Sequence, residues 1–349
     1  MDRSVGATAT SDMVSLLDTN DVVRLLTSLS EIFIDTLVGM RIGVLGAGGR
    51  GSAFAGFLAA AGEDVVLVGR SVEHIEAITA TGLAIEGVAG NRVVRFEATA
   101  DPSAVAALDA LVVLTKTFDT SVAVEAVAHA VARTGVVVSL QNGLGNDAPL
   151  ARAFGSDRSL IGVTTVGAQR HEAGRITITD ATAVGASRTT FGPSDRRAVS
   201  PTARTHGEEL ARRLTAAGLA ANYHDDVIID VWGKLALAVM GPISAVLRRS
   251  VVRVWERPDA RSLIRAMFDE VVNVATAAGV ALDRESAWEH AVRTYEGTGD
   301  HTPSMCADVL HGRRTEIDAM AGEVARRGRT LGVPTPVHDT ITSLIRAVE

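Results

Sequence analysis

Met40-Arg41-Ile42-Gly43-Val44-Leu45-Gly46-Ala47-Gly48-Gly49-Arg50-Gly51 passes without a break from an apolar run into a glycine cluster. The cluster fits G-x-G-x-x-G. The residues before it suit a buried strand, and Arg50–Ala61 suits a helix. Each glycine then has a physical role. Gly46 allows the tight turn, Gly48 lets backbone approach a pyrophosphate, and Gly51 lets the helix pack close to the sheet. Ala47, Gly49 and Arg50 complete the loop, and the helix N-terminus faces the phosphates. A lone match is weak in a chain with 33 glycines. The strand before it and the helix after it make this one specific for a dinucleotide.

Working outward, Asp64–Gly69 reads as the second strand and Val72–Ala80 as the next helix. A fold that takes NAD usually ends this strand on an acidic residue that holds the ribose hydroxyls. Here Val65-Val66-Leu67-Val68 leads into Gly69-Arg70-Ser71, and Arg70 suits the 2′-phosphate of NADP(H). The bland alternative for Arg70 is a solvated arginine at a strand end. Ala110–Leu114 and Val136–Leu140 are further buried runs, separated by a helix from about Thr120 to Ala132. Such alternation implies a parallel sheet with right-handed crossovers. Leu160–Gln169 and Arg175–Thr179 flank turn residues His171–Gly174 and predict a β-hairpin. After about Asp225 strand signals stop and helical periodicity continues almost to Glu349. The expected fold class is therefore α/β plus all-α: a Rossmann-type parallel-sheet domain over 40–225, then a helical domain over 226–349.

Residues 1–39 stand apart. Asp18-Thr19-Asn20 offers helix N-caps, and Val22, Leu25, Leu26, Leu29, Phe33 and Leu37 recur at helical spacing. An arm that packs or dimerises and a start placed too early both fit.

Composition narrows the class. The 349 residues are 47% hydrophobic and 4% aromatic, which suits closely packed strands and helices. No apolar run is read as reaching membrane-spanning length. Cys306 alone forms no intrachain disulfide, and the nine histidines make no zinc pattern, so no metal site is expected. A net charge of -7 argues against nucleic acid as the main partner. The expectation is a soluble cytoplasmic protein that acts on a small molecule. More informative is the split of the 34 basic residues, of which only Lys116 and Lys234 are lysines. Lysine is a compact ammonium able to release its proton, whereas guanidinium holds its own. Chance retention on the surface is the alternative, so context decides. Lys116 follows the strand ending at Leu114, and Asn142 follows the one ending at Leu140. Both lie at the carboxyl edge of the sheet, where such folds bind ligands. Asn142 also suits an ordinary Asn-Gly turn with Gly143.

Lys234 lies in Trp232-Gly233-Lys234-Leu235-Ala236. Ser304-Met305-Cys306-Ala307-Asp308 and Arg313-Arg314-Thr315-Glu316-Ile317-Asp318 follow it. With the glycine loop, Lys116 and Gln141-Asn142-Gly143, these segments resemble the 2-ketopantoate reductase (2-dehydropantoate 2-reductase) family from Met40 nearly to the C-terminus. The resemblance implies a helical domain of the 6-phosphogluconate dehydrogenase C-terminal type. It also implies hydride delivery from NADPH to the carbonyl of a 2-keto acid. By that analogy Lys234 is the general acid, and Glu316 holds it and contacts the cofactor. Asn142 aligns substrate and nicotinamide, Ser304 bonds the substrate, Ala168 lies with the cofactor residues, and the helical domain offers a homodimer surface. An ammonium beside a carbonyl oxygen stabilises the developing negative charge and can transfer a proton. Taken alone, Glu316 suits a surface salt bridge with Arg313 or Arg314.

One departure stands out. The family usually has an asparagine four residues after the lysine and another about a turn later. Here those places carry Ala238 and Gly241-Pro242. A bulkier or less polar carbonyl substrate fits the loss, with Ser244 as a partial replacement. An opine- or imine-type reductase, a tailoring enzyme of a specialised pathway, and a non-catalytic NADP-binding sensor are the alternatives.

Overall fold

A computed structural model describes residues 39–179, 189–195 and 197–349. The helix expected before Gly39 lies outside the described residues. In chain order the strands are β1 (Ile42–Leu45), β2 (Val65–Val68), β3 (Leu83–Gly87), β4 (Arg92–Val94), β5 (Glu97–Thr99) and β6 (Leu108–Val113). They continue with β7 (Val131–Ser139), β8 (Ser159–Thr164), β9 (Ala168–Glu172), β10 (Arg175–Ile178), β11 (Thr189–Pro193) and β12 (Ala221–Tyr223). Eight of them form one sheet in the order β12-β11-β8-β7-β6-β1-β2-β5. All neighbours in it are parallel except β11 and β8. β1 and β2 are buried at every position, which is why they read as unbroken apolar runs.

Several sequence expectations need adjustment. Leu160–Gln169 is not one hairpin arm: β8 joins the large sheet beside β7, and only β9 pairs antiparallel with β10. That hairpin belongs to a second sheet, β4-β3-β10-β9. Its remaining strands escaped notice because β4 is short and largely exposed and β3 buries only Leu83 and Ile85 in alternation, so neither leaves an apolar run to read. The helix after Thr120 ends at Val127, and β7 starts at Val131, earlier than expected. Buried His74 ties the β9–β10 turn to the helix Gly49–Ala60. Its Nδ1 accepts from Gly174 N–H at 2.9 Å, and its Nε2 lies 3.0 Å from Ser52 Oγ. Desolvation first, and the charge of Arg170 second, lower its pKa to about 4, so the ring is neutral at pH 7.

Beyond Tyr223 the described residues form no strand. Helices Val227–Leu237, Met240–Leu247 and Pro258–Ala277 surround a core that includes Trp232, Met267 and Phe268. Leu144 and Ile161, from the sheet side, pack into that same core, so the two parts share apolar contacts. Arg41–Glu349 forms one compact unit. Val227–Leu247 corrects the reading that no apolar run reaches spanning length. Its 21 residues include an 18-residue window of mean hydropathy 1.5, long and apolar enough by composition. In the structure 61% of that apolar window is buried inside the protein, which accounts for its hydropathy.

Candidate active site

The glycine loop joins β1 to the helix Gly49–Ala60. Gly46 has φ +116°, and a Cβ there would stand 2.6 Å from Thr115 N, so only glycine fits the turn. A Cβ on Gly51 would stand 1.8 Å from Gly46 O, which sets the close packing of the helix start. Gly48, by contrast, faces open space, leaving room for a ligand beside the backbone. Ala47 is buried, and Arg170 Nη1 reaches its carbonyl at 3.4 Å. Ala168, at the start of β9, backs the loop through its own carbonyl, 2.3 Å from where a Gly49 Cβ would lie. Arg70 extends into solvent with its side chain 84% exposed and makes a two-point pair with Asp119 at 3.2 and 2.6 Å.

Lys116 lies at the carboxyl edge of the sheet, Lys234 reaches it from the helix Val227–Leu237, and a single asparagine connects much of the site. Lys234 Nζ donates to Asn142 Oδ1 at 3.0 Å, and Asn142 Nδ2 donates to Glu316 Oε2 at 3.1 Å. Thr117 N–H donates to Glu316 Oε1 at 3.1 Å, and Lys116 Nζ stands 3.7 Å from Glu316 Oε2. Lys116 also pairs with Asp308 Oδ2 at 2.6 Å. The Asn142 turn is docked rather than free. Gly143, at φ +78°, packs so tightly on the helical domain that a Cβ would meet Ala319 O at 2.1 Å. Leu144 N–H donates to that same carbonyl at 2.9 Å. Ala319 belongs to a π-turn, Asp318–Gly322, just after Glu316, a local geometry common at functional sites.

Burial chiefly, and the neighbouring charge of Arg50 second, push the Lys234 ammonium from 10.5 down to about 7, with Glu316 opposing them. An amine poised there both holds and gives up a proton near neutral pH. The bland alternative for Glu316 does not describe the structure. Arg313 pairs with Asp308 and Arg314 lies nearest Asp318, while Glu316 is 6% exposed and turned inward.

Ser244 is not brought to the site. It is fully buried, and its hydroxyl donates to the Arg249 carbonyl, so it supplies no replacement amide. Ser304 opens the helix Ser304–Leu310, exposed, with Pro303 beside Gly241. Ala238 does line the small cavity at Lys234, together with Val163, Val231, Leu235 and Met320. Three contributors went unread. Asp308 was visible in its motif but had no partner in sequence. Buried Gln141 braces the loop by donating to Thr115 O and Thr120 Oγ1 at 2.9 and 2.7 Å. The third is the direction of the Arg50 side chain, whose Nη1 lies 3.4 Å from Asn142 Oδ1.

The sequence profile of Ketopantoate reductase PanE/ApbA matches residues 42–196, and that of its C-terminal domain matches 226–349. The chain belongs to the ketopantoate reductase family. Family members are oxidoreductases acting on CH–OH and C=O groups. A 2-dehydropantoate 2-reductase of Halobacterium salinarum is 32% identical over 315 residues, covering 89% of this chain and 99% of the relative. One of Pyrococcus horikoshii is 30% identical, covering 89% and 98%. The crystal structure of a Geobacter metallireducens ketopantoate reductase family member, a 2-dehydropantoate 2-reductase, superposes with TM-score 0.81 at 28% identity, covering 89% of this chain and all of that one. D-mandelate dehydrogenase, solved with NADH and anilino(oxo)acetate, shares the fold at TM-score 0.81 and 22% identity, covering 88% and 98%.

Proposed function

We propose that this ketopantoate reductase family chain reduces a 2-keto acid with NADPH, with Lys234 as the proton donor. The observation that carries the reading is the convergence of Lys234, Asn142 and Glu316 beside the glycine loop. When bound, the reduced nicotinamide supplies hydride to the carbonyl carbon. The Lys234 ammonium, with three N–H donors and one on Asn142, turns another to the carbonyl oxygen and passes its proton as negative charge develops. Glu316 favours the charged form of that ammonium. Asn142 fixes the distance between them, and Ser304 is assigned to the substrate's polar end. The open face of Gly48 and the helix start suit a pyrophosphate, and Arg70 suits the 2′-phosphate of NADP(H).

Ketopantoate is the first substrate to test, because the curated relatives are named for its reduction. A second reading, a 2-keto acid with a less polar side chain, is favoured by Ala238 and the apolar wall around it. The test follows NADPH consumption by the full chain and by Lys234→Ala with ketopantoate and with a branched-alkyl 2-keto acid. Turnover that disappears in the variant supports the reading. Tight NADPH binding with no turnover of either acid rejects it.

A further inference from the structure

Arg50 has a side chain that the glycine loop itself does not require. It is the second residue of the helix Gly49–Ala60, half-buried, and its guanidinium reaches the oxygen of Asn142 that also receives Lys234. Among the described residues no carboxylate lies within ion-pair distance of it. The nearby acids are already engaged: Glu316 by Thr117 N–H, Asn142 and Lys116, and Asp308 by Lys116 and Arg313. Arg50, Lys116, Lys234 and Arg313 therefore face only two carboxylates, and the excess positive charge lies on the Lys234 side. Two cations sharing one neutral acceptor repel each other until an anion arrives.

We propose that Arg50 anchors the carboxylate of the substrate. The proposal rests on the reading that the chain reduces a 2-keto acid. In such an acid the carboxylate is bonded directly to the carbonyl carbon, so the groups that grip the two must be neighbours. Arg50 and Lys234, meeting at one Asn142 oxygen, satisfy that requirement. The planar guanidinium takes a carboxylate at two points while the ammonium takes the carbonyl oxygen. Backbone at Gly48 and the helix start serve the phosphates, leaving the Arg50 side chain for the reacting end. The competing occupant of Arg50 is the cofactor pyrophosphate.

The experiment compares the full chain with Arg50→Leu and Arg50→Lys, measuring KM for ketopantoate and for its neutral lactone, and NADPH affinity by nucleotide fluorescence. In Arg50→Leu the KM for the acid rises about tenfold or more, the scale of one lost charge-assisted hydrogen bond. Arg50→Lys recovers part of it, while the KM for the lactone and the NADPH affinity stay unchanged. An unchanged KM for the acid overturns the proposal and leaves the reductase reading intact. A parallel fall in NADPH affinity also overturns it, assigning Arg50 to the pyrophosphate. Absence of turnover by the unmodified chain with any 2-keto acid removes both.

Discussion

Lys234 and Glu316 are coupled through one carboxamide: Asn142 accepts from the lysine at 3.0 Å and donates to the glutamate at 3.1 Å. The ammonium is thereby held beside a carboxylate without being locked into a direct pair, and its protons remain available.

Lys234→Arg keeps the charge but not the transferable proton. The expected result is a fall in kcat of about 10²–10⁴-fold, the usual contribution of a general acid, with NADPH affinity retained. Steady-state rates and a fluorescence titration check the two halves; near-normal kcat in the variant refutes the assignment.

Reduction should slow as pH rises through about 7, because Lys234 must be protonated to act as the acid. The reverse oxidation, which needs a neutral amine, should quicken over the same range. Arg50→Leu removes an influence that lowers this pKa and moves the profile to higher pH. Glu316→Gln removes one that raises it and moves the profile lower. A pH–rate series on the three proteins reads the signs.

Arg70→Ala should reduce the preference for NADPH over NADH by roughly tenfold or more if the guanidinium holds a 2′-phosphate. Asp119 already occupies two of its donors, so Asp119→Asn should sharpen the preference. Dissociation constants for the two nucleotides decide it, and equal ratios in all three proteins would sink the assignment.

Ala238→Asn restores a polar group on the wall of the Lys234 cavity. The KM for ketopantoate should fall roughly 2- to 10-fold, the scale of one net hydrogen bond, while that for a branched-alkyl 2-keto acid rises. Movement of both in the same direction contradicts the apolar-wall argument.

Glu270 accepts from Val337 N–H and His338 N–H at 2.9 and 3.0 Å and meets His338 Nδ1 at 2.6 Å, fastening the start of the helix Pro336–Val348. Glu349, the residue just after that helix, accepts from Thr315 N–H at 2.9 Å beside Glu316. Glu270→Ala should lower stability by about 3 kcal/mol or more, because it orphans buried donors. Urea unfolding of the variant gives the value.

Sequence by itself determined the glycine loop, the parallel strands around it and the change to helices after about Asp225. Buried parallel strands leave continuous apolar runs, and a dinucleotide turn must place glycines where side chains cannot fit. It also singled out Lys116 and Lys234, because a chain that otherwise uses arginine kept only two lysines. In the second sheet, β3 and β4 left no such trace, because β4 is three residues and largely exposed and β3 buries only Leu83 and Ile85 in alternation. Tertiary structure alone decided that Asn142 joins Lys234 and Glu316, residues 92 and 174 positions away. It alone buried Ser244 against Arg249 and brought the Arg50 guanidinium to the Asn142 side-chain oxygen. Local periodicity fixes which face of an element is apolar, but the partner of a polar side chain depends on how separate segments dock, and no local pattern encodes that.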